Sequence, residues 1–136
     1  MNLSQLDTKA AANEGAKLEL RDVNGVPVLK GDGNPVTITL LGKDSDTFIK
    51  AENAATNRRL AQGARLKLTA ESLKAEAIST LARCTVGWDG VGIEEDETPF
   101  SYENAVRLYT AFPFVFEQVD QFIAERANFL PSSPTS

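Results

Sequence analysis

The sequence predicts one α+β domain that is mostly helical: a small N-terminal antiparallel β-meander followed by about four α-helices. Two patterns support this fold class. Residues 17–21 alternate polar and apolar side chains, and residues 36–41 are apolar and β-branched, as is typical of strands. After Gly42 the apolar residues recur every three or four positions, as they do on one face of a helix. The 136 residues, 42% of them hydrophobic, are enough for one core.

The two ends of the chain differ from this central part. Residues 1–15 are polar and rich in alanine, and we expect a flexible lead-in there. Residues 131–136 read PSSPTS and offer nothing apolar to pack, so we expect a flexible tail. The domain is therefore predicted to span residues 16–130, and we find no internal repeat in it.

The meander is predicted from turn signals between strand-like runs. Asn24-Gly25 favours a tight hairpin turn, because both turn positions tolerate a positive φ. A return strand over residues 26–29 would follow at an edge of the sheet, because Pro27 has no N–H to donate to a neighbour. Residues 36–41 would form the third strand.

The helices are predicted from capping residues as well as from periodicity. Residues 43–46 supply capping side chains for a helix over residues 46–62, which Gly63 ends. Thr69 would cap a second helix over residues 70–85, whose apolar residues lie on one face.

Two more helices are predicted in the second half of the chain. Ser101 would cap the third, with Phe100 packed on Ala105 as a hydrophobic staple. Pro113 either kinks this helix or begins the fourth, which would run over residues 114–128.

A glycine-rich acidic loop joins the second and third helices and contains Trp88, the only tryptophan. A side chain of this size is more often a core residue than a platform for a ligand. We expect Trp88 and Phe100 to be structural anchors at the two ends of the loop, with Ser101 as a third anchor. This joint would set the angle between the flanking helices.

No catalytic constellation is recognisable, and the sequence predicts a protein that is not an enzyme. The chain has no histidine, and the single cysteine, Cys84, has no base to activate it, so we expect it in the core. Acidic residues 94–97, with Asp89 before them, could bind a hard cation, but their spacing is not that of an EF-hand. The glycines at 87, 90 and 92 follow a predicted helix, which argues against a phosphate cradle. We predict no metal and no cofactor, and a solvated acidic loop.

The charge and hydropathy of the chain limit its partners. A net charge of −5 argues against nucleic acid, since phosphate binding needs clustered lysine and arginine. No apolar run approaches the roughly 18 residues that span a bilayer, and we expect no membrane partner. The N-terminal residues do not resemble a secretory signal, and one cysteine cannot form an intrachain disulfide. These features predict a cytoplasmic protein.

Aromatic side chains around Pro113 are the candidate contact surface. Phe112, Phe114 and Phe116 occupy alternate positions, and three such side chains cannot all lie on one face of a regular helix. We therefore expect some of these aromatic side chains to be exposed, or to be buried by a partner protein. The predicted protein-contact residues are Tyr109, Phe112, Phe114 and Phe116.

Several of these residues belong to one longer pattern: Trp88, a spacer containing glycine and acid, Pro99-Phe100-Ser101-x-x-Asn104-Ala105, Leu108-Tyr109 and Arg126-x-x-Phe129-Leu130. This pattern resembles that of a known family, the tail assembly chaperones of long-tailed bacteriophages. The segment over residues 36–45, before a polar helix, is also typical of that group. The similarity covers residues 17–130 and is closest to the siphophage type of the lambdoid phage HK97.

The resemblance implies a role in tail morphogenesis. Proteins of this family are thought to coat the tape measure protein, keep it soluble, and recruit subunits of the major tail tube protein. They act in the host cytoplasm, are absent from the mature virion, and self-associate, so we expect a homo-oligomer. Many are also made in a longer form by ribosomal frameshifting, and residues 131–136 are where such an extension would begin.

For this chain we nominate two surfaces for the partners, residues 109–116 and the narrow apolar face of the helix over residues 46–62. Two other functions stay open. One is a structural component of a phage tail or capsid. The other is a small metal-dependent enzyme that uses the acidic loop, and the absence of histidine argues against it.

Overall fold

A computed structural model describes residues 2–63, 68–94 and 96–130, and the predicted fold class is confirmed. The elements are α1 (Thr8–Glu14), β1 (Ala16–Glu19), β2 (Thr37–Leu40), α2 (Asp46–Gln62), α3 (Ala70–Arg83), β3 (Thr85–Asp89), α4 (Tyr102–Ala111) and α5 (Pro113–Ala124). Short 3-10 turns lie at Leu3–Leu6 and Arg126–Asn128. The predicted tail, residues 131–136, lies outside the described residues.

The predicted capping residues begin three of the helices. The Ser45 hydroxyl accepts a backbone N–H of the first turn of α2 at 3.1 Å, and the Ser101 hydroxyl does the same for α4 at 3.0 Å. Thr69 takes part in a reciprocal capping box at the start of α3. Pro113 begins α5, where an N–H would have no helical partner. Local side-chain chemistry therefore sets where these helices start.

The sheet contains a strand that the sequence did not predict. Its order is β1-β2-β3, and both pairs are antiparallel. The third strand is Thr85–Asp89, which was predicted as the end of a helix and a loop. The predicted return strand over residues 26–29 is wrong, because β1 pairs directly with β2. At the centre of the sheet, Ile38 pairs with Leu18 on one side and with Trp88 on the other.

A β-bulge explains why β3 lacks the pattern of a regular strand. Leu40 pairs with Thr85 while the preceding residue of β2 pairs with Gly87, so Val86 is the extra residue. In a regular strand, Thr85 and Trp88 would point to opposite faces of the sheet. The bulge brings both to the inner face, where Thr85 is buried and Trp88 packs against the core.

The core lies between the inner face of the sheet and helices α3, α4 and α5. Ile38 and Leu40 of β2 are fully buried, whereas Thr37 and Thr39 on the outer face are only half-buried. The helical members of the same buried cluster are Ile78, Leu81, Ala82, Ala105, Leu108, Tyr109, Val115, Phe116, Val119 and Ile123. Alternation along β2 therefore separates the core from the outer face of the sheet.

The segment that we predicted to be a flexible lead-in contains helix α1, which packs on the domain. Asp7 caps the helix by accepting the Ala10 N–H at 2.9 Å. Ala12 is buried, and its carbonyl accepts the Gly42 N–H at 3.1 Å. Since α1 buries one small side chain, it has no apolar stripe from which a helix could be predicted.

Residues 20–36 form an excursion between β1 and β2 that we call the double-turn lobe. It consists of two similar turns. Each turn is closed by an isolated β-bridge, between Arg21 and Pro27 in the first and between Leu29 and Pro35 in the second. The two turns are related by a shift of eight residues along the chain. The chain therefore contains a short repeat, and the prediction of no internal repeat is wrong.

The base of the double-turn lobe is a closed cycle of three backbone hydrogen bonds. The Val28 N–H donates to Leu20, the Val36 N–H to Val28, and the Leu20 N–H to Val36, each at 2.9 Å. Gly25 and Gly33 occupy equivalent turn positions with φ of 80° and 87°, which only glycine adopts readily. The repeat therefore brings three equivalent apolar residues together beside the core.

Gly42→Ala should destabilise the fold, because α1 and the C-terminal turn approach Gly42 closely. A Cβ at this position would lie 2.9 Å from the Ala12 Cβ and 3.1 Å from the Phe129 ring. Overpacking of this kind costs about 1–3 kcal/mol in the free energy of unfolding, measured by urea denaturation. Gly31→Ala is the matched control, because its Cβ would meet nothing within 4 Å. Equal losses in the two variants would contradict the packing of α1.

Candidate functional site

The four predicted contact residues lie around the corner between α4 and α5. Phe112 ends α4 with non-helical backbone angles (φ −125°, ψ 85°), and Pro113 begins α5. Because the chain turns here, residues on either side belong to different helices and face different directions. Phe112 and Phe114 are half-buried at the surface, whereas Tyr109 and Phe116 lie in the core.

Tyr109 is buried where a partner cannot reach it. Tyr109 is only 1% exposed, and its hydroxyl lies 2.7 Å from the Thr85 hydroxyl. The Thr85 hydroxyl donates its hydrogen to the Leu81 carbonyl at 2.8 Å, so Tyr109 must be the donor to Thr85. Burial raises the pKa of Tyr109 and keeps the hydroxyl protonated. This hydrogen bond ties α4 to the first residue of β3.

Phe116 is also in the core, with Lys74 of α3 over its ring. The Lys74 Nζ lies 3.7 Å from the ring centroid, a cation–π contact. The assignment of Tyr109 and Phe116 to a contact surface is therefore corrected. Its physical cause is the corner at Pro113, which changes the helical phase between residues 109 and 116.

Phe112 and Phe114 border an open groove of about 400 Å³, which we call the corner groove. Their rings meet edge to face with centroids 6.3 Å apart. The other lining residues come from the double-turn lobe, the loop after β3 and the two helices: Leu20, Val28, Leu29, Val36, Gly90, Val91, Gly92, Asp96, Leu108 and Val115. Apart from Asp96, the described lining is uncharged, and most of it is apolar.

Apolar side chains are also exposed around the corner groove. Leu29 in its lining is 56% exposed, and Val23 and Val26 on the same lobe are 77% and 55% exposed. Phe114 also borders a neighbouring groove that includes Val23, but the rest of the lining of that groove is charged, polar or glycine: Arg21, Asp22, Gly25, Glu117, Gln118 and Gln121. Exposed apolar side chains grouped on one lobe are typical of a binding site.

Two polar contacts hold the double-turn lobe against the domain. The Gln118 amide of α5 bonds both backbone groups of Arg21: Oε1 accepts the N–H at 2.9 Å, and Nε2 donates to the carbonyl at 2.6 Å. Lys30 Nζ donates to Asp89 at the end of β3 at 2.9 Å, and this hydrogen bond raises the pKa of Lys30. The Lys30 stem crosses Gly90, where any Cβ would clash with it.

The loop after β3 is closed by Thr98. Its N–H donates to the Val91 carbonyl at 2.7 Å, and its hydroxyl accepts the Ile93 N–H at 3.0 Å. Trp88 Nε1 donates to the Thr98 carbonyl at 2.8 Å, and the Trp88 ring meets Phe100 edge to face at 5.1 Å. The two ends of the loop therefore meet through the two aromatic residues that the sequence nominated as anchors.

Ser101, the third predicted anchor, fixes the start of α4. Its hydroxyl caps the helix by accepting the Asn104 N–H, and the Asn104 side chain in turn donates to the Pro99 carbonyl at 2.9 Å. The closed loop thus leads into α4 at a set position, and α4 leads to the corner that carries Phe112 and Phe114.

The acidic loop and the cysteine were weighed from the sequence as candidates for chemistry. Glu94, Asp96 and Glu97 are exposed, and Glu95 lies outside the described residues. Among residues 2–63, 68–94 and 96–130, no three acidic, cysteine or histidine side chains converge as metal ligands would. Cys84 is fully buried, and burial raises its pKa to about 12. No helix in the described part of the chain is long and apolar enough to cross a bilayer.

The lobe side of the corner groove was missed in the sequence, although a signal for it exists. A spacing of eight residues relates two glycines, two prolines and three apolar residues: Gly25 and Gly33, Pro27 and Pro35, and Leu20, Val28 and Val36. A repeat of this length predicts two equivalent turns with equivalent apolar positions at their base.

Comparison with known proteins leaves the site to be interpreted from its own geometry. No protein-family model, no characterised protein and no solved structure matches this chain.

Raising the pH above about 9 should destabilise the domain through Cys84 and Tyr109. Burial raises both pKa values, that of Cys84 from 9.0 to about 12 and that of Tyr109 above 10.0. Stability is therefore highest below the unfolded pKa of each group and falls as the pH rises toward the folded pKa. We expect the melting temperature to fall on the order of 5 °C between pH 9 and pH 11.

The Cys84→Ala/Tyr109→Phe double variant is the control for this pH dependence. It should melt lower at pH 8, because the hydrogen bond to Thr85 is worth about 1 kcal/mol. Its melting temperature should then change less between pH 9 and pH 11 than that of the original chain. Parallel pH profiles for the two proteins would show that these groups do not cause the alkaline loss.

Proposed function

We propose that the chain is a bacteriophage tail assembly chaperone that binds and solubilises the tape measure protein and recruits tail tube subunits during tail morphogenesis. Two observations support the proposal. The first is the resemblance at Trp88 and at residues 99–105, described above. The second, which carries the argument, is the apolar corner groove on an acidic domain. The groove is bordered by the corner between α4 and α5, and residues 99–105 of the resembling motif contain the start of α4.

The corner groove suits the apolar stripe of a helical partner. Phe112 and Phe114 line the groove with aromatic rings, and Leu29 is exposed on the lobe. Side chains one helical turn apart on a partner helix could enter together, as in other helix-in-groove complexes. Full burial of one leucine-sized side chain contributes about 1.5–3 kcal/mol, so one groove would bind such a helix weakly.

Weak binding at each site fits a protein that coats a long partner. A tape measure protein is long and helical, and exposes apolar seams before the tail tube encloses it. Many copies bound side by side would raise the overall affinity without a strong individual contact. With a net charge of −5 on each copy, the coated partner would repel its neighbours and stay dispersed.

A structural component of a phage tail or capsid is the alternative function. An apolar groove of this kind could also hold a permanent neighbour in a finished particle. Mass spectrometry of purified particles separates the two functions, because a chaperone should be absent from the virion and a structural component present in fixed number.

Phe114→Ser should weaken retention of the co-expressed tape measure protein by about tenfold, because an aromatic wall of the corner groove is lost. Leu29→Ser should act in the same direction from the lobe. The measurement is the amount of tape measure protein retained by the tagged chain, with circular dichroism to confirm the fold. Phe116→Ser is unsuitable for this test, because Phe116 is buried and its loss would destabilise the core.

Leu3→Ser is the matched control for surface hydrophobicity. Leu3 is 72% exposed in the N-terminal 3-10 turn and does not line the corner groove. Its variant should retain the tape measure protein normally. Normal retention by both Phe114→Ser and Leu29→Ser, with native circular dichroism, would overturn the role of the groove.

A further inference from the structure

A second open groove, between α2 and α3, has a cationic lining; we call it the interhelix cleft. It has a volume of about 500 Å³, and Lys50, Arg58 and Arg83 are among the side chains that line it. The chain has 14 basic and 19 acidic residues, so this convergence opposes the charge of the rest of the molecule. The cleft lies on the helix that the sequence nominated as a second surface, but its character is cationic instead of apolar.

The cations of the interhelix cleft are available to an anion. Lys50, Arg58 and Arg83 are exposed, and within the described residues none of them forms an ion pair. Glu76 also lines the cleft, but its carboxylate is paired with Arg59. The net positive charge of the cleft is therefore not cancelled by its own acidic residue.

The cations are distributed along the cleft instead of meeting at one point. Lys50 and Arg58 are eight residues apart on α2, which corresponds to about 12 Å along the helix axis. The pairing of Arg59 with Glu76 places the end of α2 beside the middle of α3. Arg83, at the end of α3, lies seven residues after Glu76 and therefore about 10 Å along that helix from this ion pair. An occupant must present its negative charges at two separated places.

Small side chains between the cations leave room for that occupant. Ala51 and Ala54 line the α2 side, and Ser79 lines the α3 side. The Ser79 hydroxyl lies 2.9 Å from the Tyr102 hydroxyl, and the Arg83 guanidinium lies 5.8 Å from the Tyr102 ring centroid. The lining thus offers methyl groups between the charged ends of the cleft.

We propose that the interhelix cleft binds a short acidic segment of a partner protein, with its carboxylates on Lys50, Arg58 and Arg83 and its aliphatic atoms on the two alanines. Charge complementarity and the two alanine methyl groups in the lining favour this occupant. A nucleic acid would extend its phosphates beyond the cleft along a chain whose net charge is −5, and a free inorganic anion would leave the alanine methyl groups uncovered. The cleft is separate from the corner groove, so this proposal does not depend on the proposed function.

The test is an NMR titration of the isotope-labelled chain with a short alanine-rich helical peptide that carries glutamates two turns apart. Amide shifts should be confined to α2 and α3, and added salt should weaken binding. Replacing the glutamates of the peptide with glutamine should lower the affinity by about tenfold. Arg58→Gln and Arg83→Gln should each lower it by about threefold or more, with native spectra elsewhere.

Lys17→Gln is the matched control, because it removes one exposed charge from β1, away from the cleft. It should leave the affinity unchanged, as should Phe114→Ser in the corner groove. The proposal would be overturned if the glutamine peptide bound as tightly as the glutamate peptide. It would also be overturned if Lys17→Gln lowered the affinity as much as Arg58→Gln and Arg83→Gln do. A dimer of the chain that Arg58→Gln dissociates would overturn it too, because that result would assign the cleft to a second copy. Tighter binding of a single-stranded oligonucleotide than of the peptide, if Arg58→Gln and Arg83→Gln abolish it, would also overturn the proposal.

Discussion

The pairing of β3 with β2 is the interaction on which the rest of the structure depends. It joins the N-terminal strands to the helical half of the chain, and the bulge at Val86 turns two side chains toward the core. One of them, Thr85, receives the hydrogen bond of Tyr109 in α4. The other, Trp88, bonds to Thr98 and thereby closes the following loop. A single strand therefore positions α4 and the loop, which are two of the parts that make the corner groove.

The double-turn lobe completes the groove through contacts within the chain itself. Its three basal residues, Leu20, Val28 and Val36, bond to one another in a closed cycle, and Gln118 and Lys30 attach the lobe to α5 and β3. A groove that already has its bound shape avoids much of the ordering cost of association. The exposed apolar residues of the lobe are thus held in place, and the net charge of −5 opposes non-specific association.

Local chemistry made much of the fold predictable, whereas non-local contacts determined what was missed. Capping side chains lie within three residues of the groups they bond, so α2, α3 and α4 could be located from the sequence. Strand β3 depends on a bulge and on a partner distant in the chain, and α1 buries only Ala12, so neither leaves a periodic pattern. At the site, part of the aromatic set was expected to be exposed, and Phe112 and Phe114 are half-buried at the surface. Tyr109 and Phe116 were grouped with them because the corner that separates their directions is a tertiary feature.

The corner groove is built into the free protein, and amide hydrogen exchange tests this most directly. The amides of Leu20, Val28 and Val36 donate the three bonds of the lobe, and the Thr98 amide closes the loop. We predict that these four amides exchange far more slowly than in an unfolded chain, together with that of Ile38 in β2. Exchange of the lobe and loop amides at unfolded-chain rates, with Ile38 still protected, would contradict a preformed groove.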